Sequence, residues 1–356
     1  MRGRPISRKY PAFVINLTVY LMLIVLLSGC KDKSEEVSSK QQKKDVAVKE
    51  QKQEADTKGA RTIELELHPA KAPEPAQKYR LLLTAEEQID ADAVTLYEQA
   101  IQLLPEDPQT DQISQWLKIP PSKLPLQQVQ SILQQFDPTM ELIQQAVKCK
   151  TCDWPYWDDE TSSQILSKFR TIAFFLDLQA RTQIAQSQHD KAIDTVKTGF
   201  TMAKHLGDGP TLLQGLVGIA IGVRMFRPLE QFIQEPNTPS LYWALGGLPK
   251  PFIDLTERAE FEDQDTKDKM HLLMNRLERN MAALQCVEAI RLYAAVHNGK
   301  FPNELSDITQ VPVPNNPVTQ KPLIYRRTGS KAILEAPSKK EQEDRYEIRY
   351  ELSLKE

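Results

Sequence analysis

Apolar positions along the chain recur with two periods, and each change of period marks a change of element. From Thr62 to His68 (TIELELH) apolar and polar residues alternate, the pattern of a strand with one covered face. A proline-rich turn follows at Pro69, Pro73 and Pro75. Thr84 with Glu87 three residues on has the form of a capping box and predicts a helix running to Leu104, before Pro105. Pro125 and the pair Asp137-Pro138 each predict the first turn of a short helix, where a missing amide proton does no harm. Val129, Ile132 and Leu133, then Leu142, Ile143 and Val147, follow them at helical spacing.

Three longer helical stretches occupy the middle. Gln164 to Ala185 is apolar almost all round (Ile165, Leu166, Phe169, Ile172, Phe175, Leu176), which predicts a central position. After a break at His189-Asp190, a second helix carries Ala192, Ile193, Val196, Phe200, Ala203 and Leu206 on one stripe and ends at Gly207. A third, from Pro210 to about Ile233, contains Gly215, Gly218 and Gly222. Each helical glycine costs up to about 1 kcal/mol against alanine, so the three predict close approach of a neighbouring helix. Its length, Gln214 and Arg224 argue for a core helix over a membrane span.

Helical pattern continues from Phe252 to His297, charged at first and amphipathic from Met270 to Val296, and closes at Asn298-Gly299, residues suited to a left-handed cap. Beyond the loop VPVPNNPV, Leu323–Arg327, Ala332–Ala336 and Tyr346–Leu352 read as strands, the first two joined by a turn at Thr328–Lys331. The expected fold is mainly α, packed helical hairpins with a small C-terminal antiparallel β-sheet.

The first thirty residues carry an address. Arg2, Arg4, Arg8 and Lys9 precede an apolar stretch that is densest from Val19 to Leu27, and no acid appears before Asp32. Leu27-Ser28-Gly29-Cys30 then resembles a bacterial lipobox, in which the cysteine thiol receives diacylglycerol and becomes the new N-terminus. The alternative is an uncleaved signal anchor over residues 12–27. Acyl chains worth about 0.8 kcal/mol per buried methylene would hold the protein to a membrane. Residues 31–60 hold eight Lys and seven acids with no aromatic, Leu or Ile, so they cannot bury enough apolar area to offset their ordering entropy and read as a tether. The expected organisation is a signal peptide (1–29), a lipidated Cys30 with a disordered charged tether (30–60), a helical-hairpin domain with a short N-terminal strand (61–250), and a long helix with a small sheet packed on it (251–356).

Charge then narrows the partners. The 356 residues hold 45 Lys+Arg against 48 Asp+Glu, a net charge of −3. Loss of the four leader cations takes that to −7. Such a body lacks the basic excess of a nucleic-acid binder and would not cling to an anionic membrane by its own surface. The expected partners are a membrane, through the lipid, and a protein; no nucleic acid is expected.

Candidate chemistry is sparse. Cys149-Lys-Thr-Cys152 is the sharpest local feature, and a structural disulfide or simple thiol pair is the leading reading. Buried free thiols, half a metal site and a redox pair are the others. A redox CxxC usually opens a helix, whereas here the expected helix precedes the motif, so its dipole acts the wrong way. Zinc needs about four ligands, and there is no second CxxC. His189, His205, His271 and His297 are scattered and read as surface or cap residues; Cys286 lies on an amphipathic stretch. In Asp153–Glu160, Trp154, Tyr156 and Trp157 stand among four acids. Aromatics there could face a glycan or cation, or fold back on the core while the acids favour the next helix N-terminus. Leu241-Tyr242-Trp243 reads as packing. Gly207-Asp208-Gly209-Pro210 could form a backbone anion site and reads better as a turn. The chain has no GxSxG, Walker A, HExxH or post-strand GxGxxG, so no cofactor and no catalytic residue is expected.

Three resemblances add to this reading. Ala93-x3-Tyr97-x2-Ala100-x4-Pro105 and His189-Asp190-Lys191-Ala192-Ile193 each resemble part of a tetratricopeptide helix pair, without a 34-residue period linking them. Ile290–Pro302 followed by Pro314–Tyr325 resembles the helix-to-sheet passage of type II secretion pseudopilins, although those proteins lack a lipobox. Over most of the chain, TIELELHPA, KYRLLL, CxxCDW, the stretch from Lys191 to Ile221, LYWALGGLP and PFIDL resemble a family of planctomycete envelope proteins, which implies the location and the helical fold and supplies no active site. The function expected is therefore that of a membrane-anchored envelope lipoprotein, non-catalytic, whose helical scaffold binds a protein or peptide. The alternatives are an accessory of a pilus or type II-like secretion machine, and a thiol redox protein using Cys149 and Cys152.

Overall fold

The strand expected from TIELELH forms over Arg61–Leu67 (β1), and its partner is the far end of the chain. A computed structural model describes residues 61–155, 159–258, 263–338 and 348–355. The signal peptide, Cys30, the tether, Tyr156 and Trp157 lie outside the described residues. β1 runs parallel to β6 (Ile348–Leu354), from Arg61 opposite Ile348 to Leu67 opposite Leu354. β6 pairs antiparallel with β5 (Lys331–Ala336), and β5 with β4 (Ile324–Thr328), giving the order β1-β6-β5-β4. The expected antiparallel C-terminal sheet is thus a mixed sheet of four strands that also takes in the N-terminal strand. A parallel pair needs a long crossover between its strands, and here almost the whole body supplies it. Leu65 and Leu67 of β1, Leu334 of β5 and Tyr350 and Leu352 of β6 turn inward while Glu64 and Glu66 face water, the period-two pattern made physical. The β4–β5 turn carries Gly329 at φ +61°, a left-handed position glycine takes without strain.

Nine α-helices stand among the described residues. Four are short: α1 (Val94–Gln102), α2 (Thr110–Trp116), α3 (Leu126–Gln134) and α4 (Asp137–Ala146). A long trio follows, α5 (Asp159–Ala185), α6 (His189–Gly207) and α7 (Leu212–Phe232), then the five-residue α8 (Tyr242–Gly246) and the 33-residue α9 (Gln264–Val296). The expected helix from Thr84 is corrected. Glu87 does accept a hydrogen bond from the Thr84 amide at 2.7 Å, but the pair closes a turn. Residues Ile89–Asp92 (β2) instead pair with Cys149–Thr151 (β3), and helix starts only at Val94. Likewise Phe252–Arg258 is not helical. Phe252, Ile253 and Leu255 pack inward from a loop, with the Phe252 amide held by Glu278 of α9 at 2.8 Å.

Helix α7 is a core helix, and its glycines divide by role. A Cβ on Gly218 would meet the Ala203 carbonyl and Gly207 Cα, both backbone of α6, at 2.7 Å, so here the two helices approach as closely as glycine permits. Gly215 makes room for the Leu255 side chain, and Gly222 faces Leu277 and Phe252 at 3.3 and 3.5 Å. On α9, Arg291 and Glu288 form an ion pair at 2.9 Å with both side chains wholly buried. Arg291 also donates to the His68 carbonyl and to Thr238, fastening the exits of β1 and α7 to one point.

Candidate functional site

Of the site residues expected from the sequence, Trp154 lies in a closed cluster with three residues that were not expected there. α1 supplies Tyr97, α5 Phe169, α6 His205, and the segment after β3 supplies Trp154; all four are buried. The Tyr97 ring stacks on Trp154 at 5.5 Å between centroids and meets Phe169 and His205 edge-on. The Trp154 indole donates to the His205 carbonyl at 3.0 Å, which satisfies the one polar atom of the ring. The proposed ligand-facing role of Trp154 is thereby corrected: its face is covered by Tyr97 and offers no surface to a sugar. Tyr156 and Trp157 are outside the described residues.

His205, expected as a surface or cap residue, stands in the last turn of α6 as a cap residue would, but it is buried, which corrects the surface half of that reading. Its Nδ1 meets the Tyr97 hydroxyl at 3.0 Å, and burial pulls its pKa down to about 4, so it is neutral at pH 7. His189, half-buried, meets Phe232 edge-on; His271 and His297 are exposed, the latter stacked on Tyr293.

The CxxC pair straddles this cluster without joining. Cys149 is buried in β3 opposite Ile89, and Cys152 is half-buried just past the strand; both are free thiols, as is the buried Cys286. Three residues of strand rise about 10 Å, beyond the roughly 7 Å between Cα atoms that a disulfide spans. Burial first, and then the Asp92 carboxylate, push both thiols above their ordinary range. A thiolate is the reactive form, so this setting disarms both. Asp92 also accepts from the Asp153 amide at 2.7 Å and the Val94 amide at 2.9 Å, holding the turn after the motif against the start of α1. Among the described residues, no three His, Cys, Asp or Glu side chains converge as metal ligands.

An open cleft lies elsewhere on the surface, and the sequence reading did not select it. A cleft of about 860 Å³ runs between the irregular segment Gln77–Glu86 on one side and Trp243–Pro249 on the other, with Gln285 of α9 in its lining. The first wall is pinned at both ends. The Tyr79 hydroxyl donates to Asp190 at 2.8 Å, and the Thr84 amide to Glu87. Between the pins, no backbone hydrogen bond joins Arg80–Leu83 to another described residue. Leu81 points into the core and anchors the segment. On the second wall Leu241 and Tyr242 are buried as expected, but Trp243 is 40% exposed. Gln285 is buried, its Oε1 has no hydrogen-bond partner among the described residues, and a Cβ on Gly246 would come within 2.6 Å of its Nε2. The signal that could have found the cleft was the pairing of a tryptophan with Gly246-Gly247.

Comparison with family models, with curated proteins and with solved structures finds no match.

Proposed function

We propose that the protein is a non-catalytic envelope lipoprotein, anchored through Cys30, whose helical body holds an extended peptide segment of a partner protein in the cleft between Gln77–Glu86 and Trp243–Pro249. The observation that carries this reading is the unpaired backbone of Arg80–Leu83 along one wall of a cleft with an exposed tryptophan on the other. Main-chain groups beside a groove that bond to no described residue suit strand addition, in which backbone bonds give affinity and side-chain pockets give specificity. An aromatic rim and an inward amide suit a peptide's side chain and backbone N–H respectively. In this reading α5, α6 and α7 stack as successive antiparallel hairpins in a tetratricopeptide-like manner and serve as the rigid support.

The secretion-machine alternative loses ground because β1 completes the C-terminal sheet, so that end is not a separable helix–sheet unit. The redox alternative loses ground because both thiols are held protonated and apart. The test is crosslinking in intact envelopes followed by mass spectrometry of wild type, Cys30→Ala and Trp243→Ala. The reading expects an acylated Cys30, a discrete partner, release from the membrane in Cys30→Ala and loss of the partner in Trp243→Ala. A non-acylated N-terminus removes the anchor, and an unchanged partner in Trp243→Ala removes the cleft.

A further inference from the structure

The two edges of the mixed sheet are treated differently. At one edge the body closes β1: the Glu66 amide donates to Gln234 Oε1, just past α7, at 3.1 Å. Among the described residues nothing comparable stands against β4 at the other edge. The β4–β5 turn has two residues, Gly329 and Ser330, and Thr328 pairs with Lys331 across it. Bonded and non-bonded pairs alternate along an antiparallel ladder, and a two-residue turn is closed by a bonded pair. Thr328, Arg326 and Ile324 therefore bond to β5, while Tyr325 and Arg327 direct their N–H and C=O groups away from it. Those outward groups bond to no other described residue. The strand also faces water along its length. Ile324 is 41% exposed, Arg326, Arg327 and Thr328 are exposed, and Tyr325 is half-buried. Unpaired main chain on an exposed edge is a template for another strand.

Charge decides which strand fits. β4 carries Arg326 and Arg327 and no acid. Across β4, β5 and β6 four cations stand against Glu335 and Glu351, whereas β1 at the closed edge carries two acids and one cation. Glu335 is shared between Arg326 and Arg349 of β6. Arg327 is fixed by the Phe301 carbonyl at 3.0 Å and Asn303 Oδ1 at 2.9 Å, neither of which is charged. The open edge is therefore the basic edge of the sheet. Charged side chains are the ordinary device that keeps edge strands from pairing at random, and here they discriminate by sign. Two copies of β4 set edge to edge would bring arginines opposite or diagonal to one another, and like charges across a strand pair are destabilising. A strand bearing acids meets no such penalty. We propose that the β4 edge adds an extended acidic segment of a partner protein as a fifth strand, at a site separate from the cleft and with a different occupant. Main-chain bonds at Tyr325 and Arg327 hold the segment, and Arg326 selects its charge.

The test is residue-resolved hydrogen exchange of the full chain in neutral detergent. The probes are a capped hexapeptide of alternating Thr and Glu, its counterpart with Lys for Glu, and short-chain phosphatidylglycerol added to the micelles. The acidic peptide is expected to slow exchange at Tyr325 and Arg327 by about fivefold at saturation, the worth of one hydrogen bond. Ile324, Arg326 and Thr328, already bonded to β5, should change little, and the basic peptide should protect none of the five. Arg326→Gln is expected to weaken the acidic peptide about two- to fivefold, the worth of one cross-strand ion pair. Its bond to Glu335 is an exposed one, so an unchanged thermal midpoint is expected. Should that variant not fold, Lys331→Gln, at the exposed start of β5, carries the comparison. Equal protection by the acidic and basic peptides, no protection at Tyr325 and Arg327, or protection by phosphatidylglycerol in place of the peptide overturns the proposal.

Discussion

The Tyr97 hydroxyl lies 3.0 Å from His205 Nδ1 inside a buried cluster completed by Trp154 and Phe169. The contact ties α1 to α6, and through the Trp154 indole it ties both to the turn after the CxxC motif. It also makes His205 a proton-linked element of stability.

The sign follows from burial. His205 titrates near 4 in the folded protein and near 6.5 in an unfolded chain. Above about pH 6.5 both states are neutral and nothing is lost. Between 6.5 and 4 only the unfolded state takes the proton, so stability falls as pH falls, by on the order of 3 kcal/mol in all. Urea unfolding of wild type at pH 7.5 and 5 should show this fall, and His205→Gln should show a smaller one; equal falls contradict it.

Two glycines on one helix should respond with opposite sign. Gly218→Ala drives a methyl to 2.7 Å from α6 backbone, which cannot move aside, and should destabilise by about 1–3 kcal/mol or more. Gly222→Ala meets only side chains, the Leu277 methyl at 3.3 Å and the Phe252 ring at 3.5 Å, and the gain in helix propensity, up to about 1 kcal/mol, should exceed the crowding. Denaturant midpoints of the two variants check this directly.

The buried pair on α9 should fail asymmetrically. Arg291→Met leaves the Glu288 carboxylate buried without its partner and also frees the His68 carbonyl and Thr238. Loss of one member of such a pair costs about 3–5 kcal/mol. Glu288→Gln, which keeps an acceptor oxygen for Arg291, should cost less. Chemical denaturation ranks the two.

Strand geometry makes a prediction about the thiols. Unfolded without reductant and alkylated, Cys149, Cys152 and Cys286 should each take one adduct, and prior reduction should add none. In the folded state all three should react far more slowly than in the unfolded chain, because burial pushes each thiol up. A mass two hydrogens short before reduction would contradict this account of β3.

How far the sequence revealed the fold depended on what each signal encodes. Alternation in TIELELH and in the stretch read as a strand at Tyr346–Leu352, which forms at Ile348–Leu354, shows which face is covered, but a period carries no information on the neighbour, so the parallel β1–β6 pairing was not legible. Thr84 and Glu87 form the bond their spacing suggests, yet strand pairing of Ile89–Asp92 with β3 overrides the local preference for helix. The long trio α5–α7 was legible because burial on several sides leaves a dense apolar pattern. His205 was misread because it lies off the apolar stripe of α6 and is covered by Trp154, fifty-one residues earlier. The cleft was hidden for a related reason. Its walls come from the KYRLLL and LYWALGGLP stretches, whose apolar residues divide between core (Leu81, Leu241, Tyr242) and rim (Trp243) only once Gln285 of α9 is in place between them.

The central claim is that the cleft receives a peptide of a partner protein. Its most direct test is photocrosslinking in intact envelopes from a benzophenone side chain at position 82, beside the unpaired backbone, against the same probe at Ile324, exposed on β4. The account predicts one discrete adduct from position 82, none of the same mass from position 324, and loss of that adduct in Trp243→Ala. No adduct from position 82, or one that persists unchanged in Trp243→Ala, would contradict it.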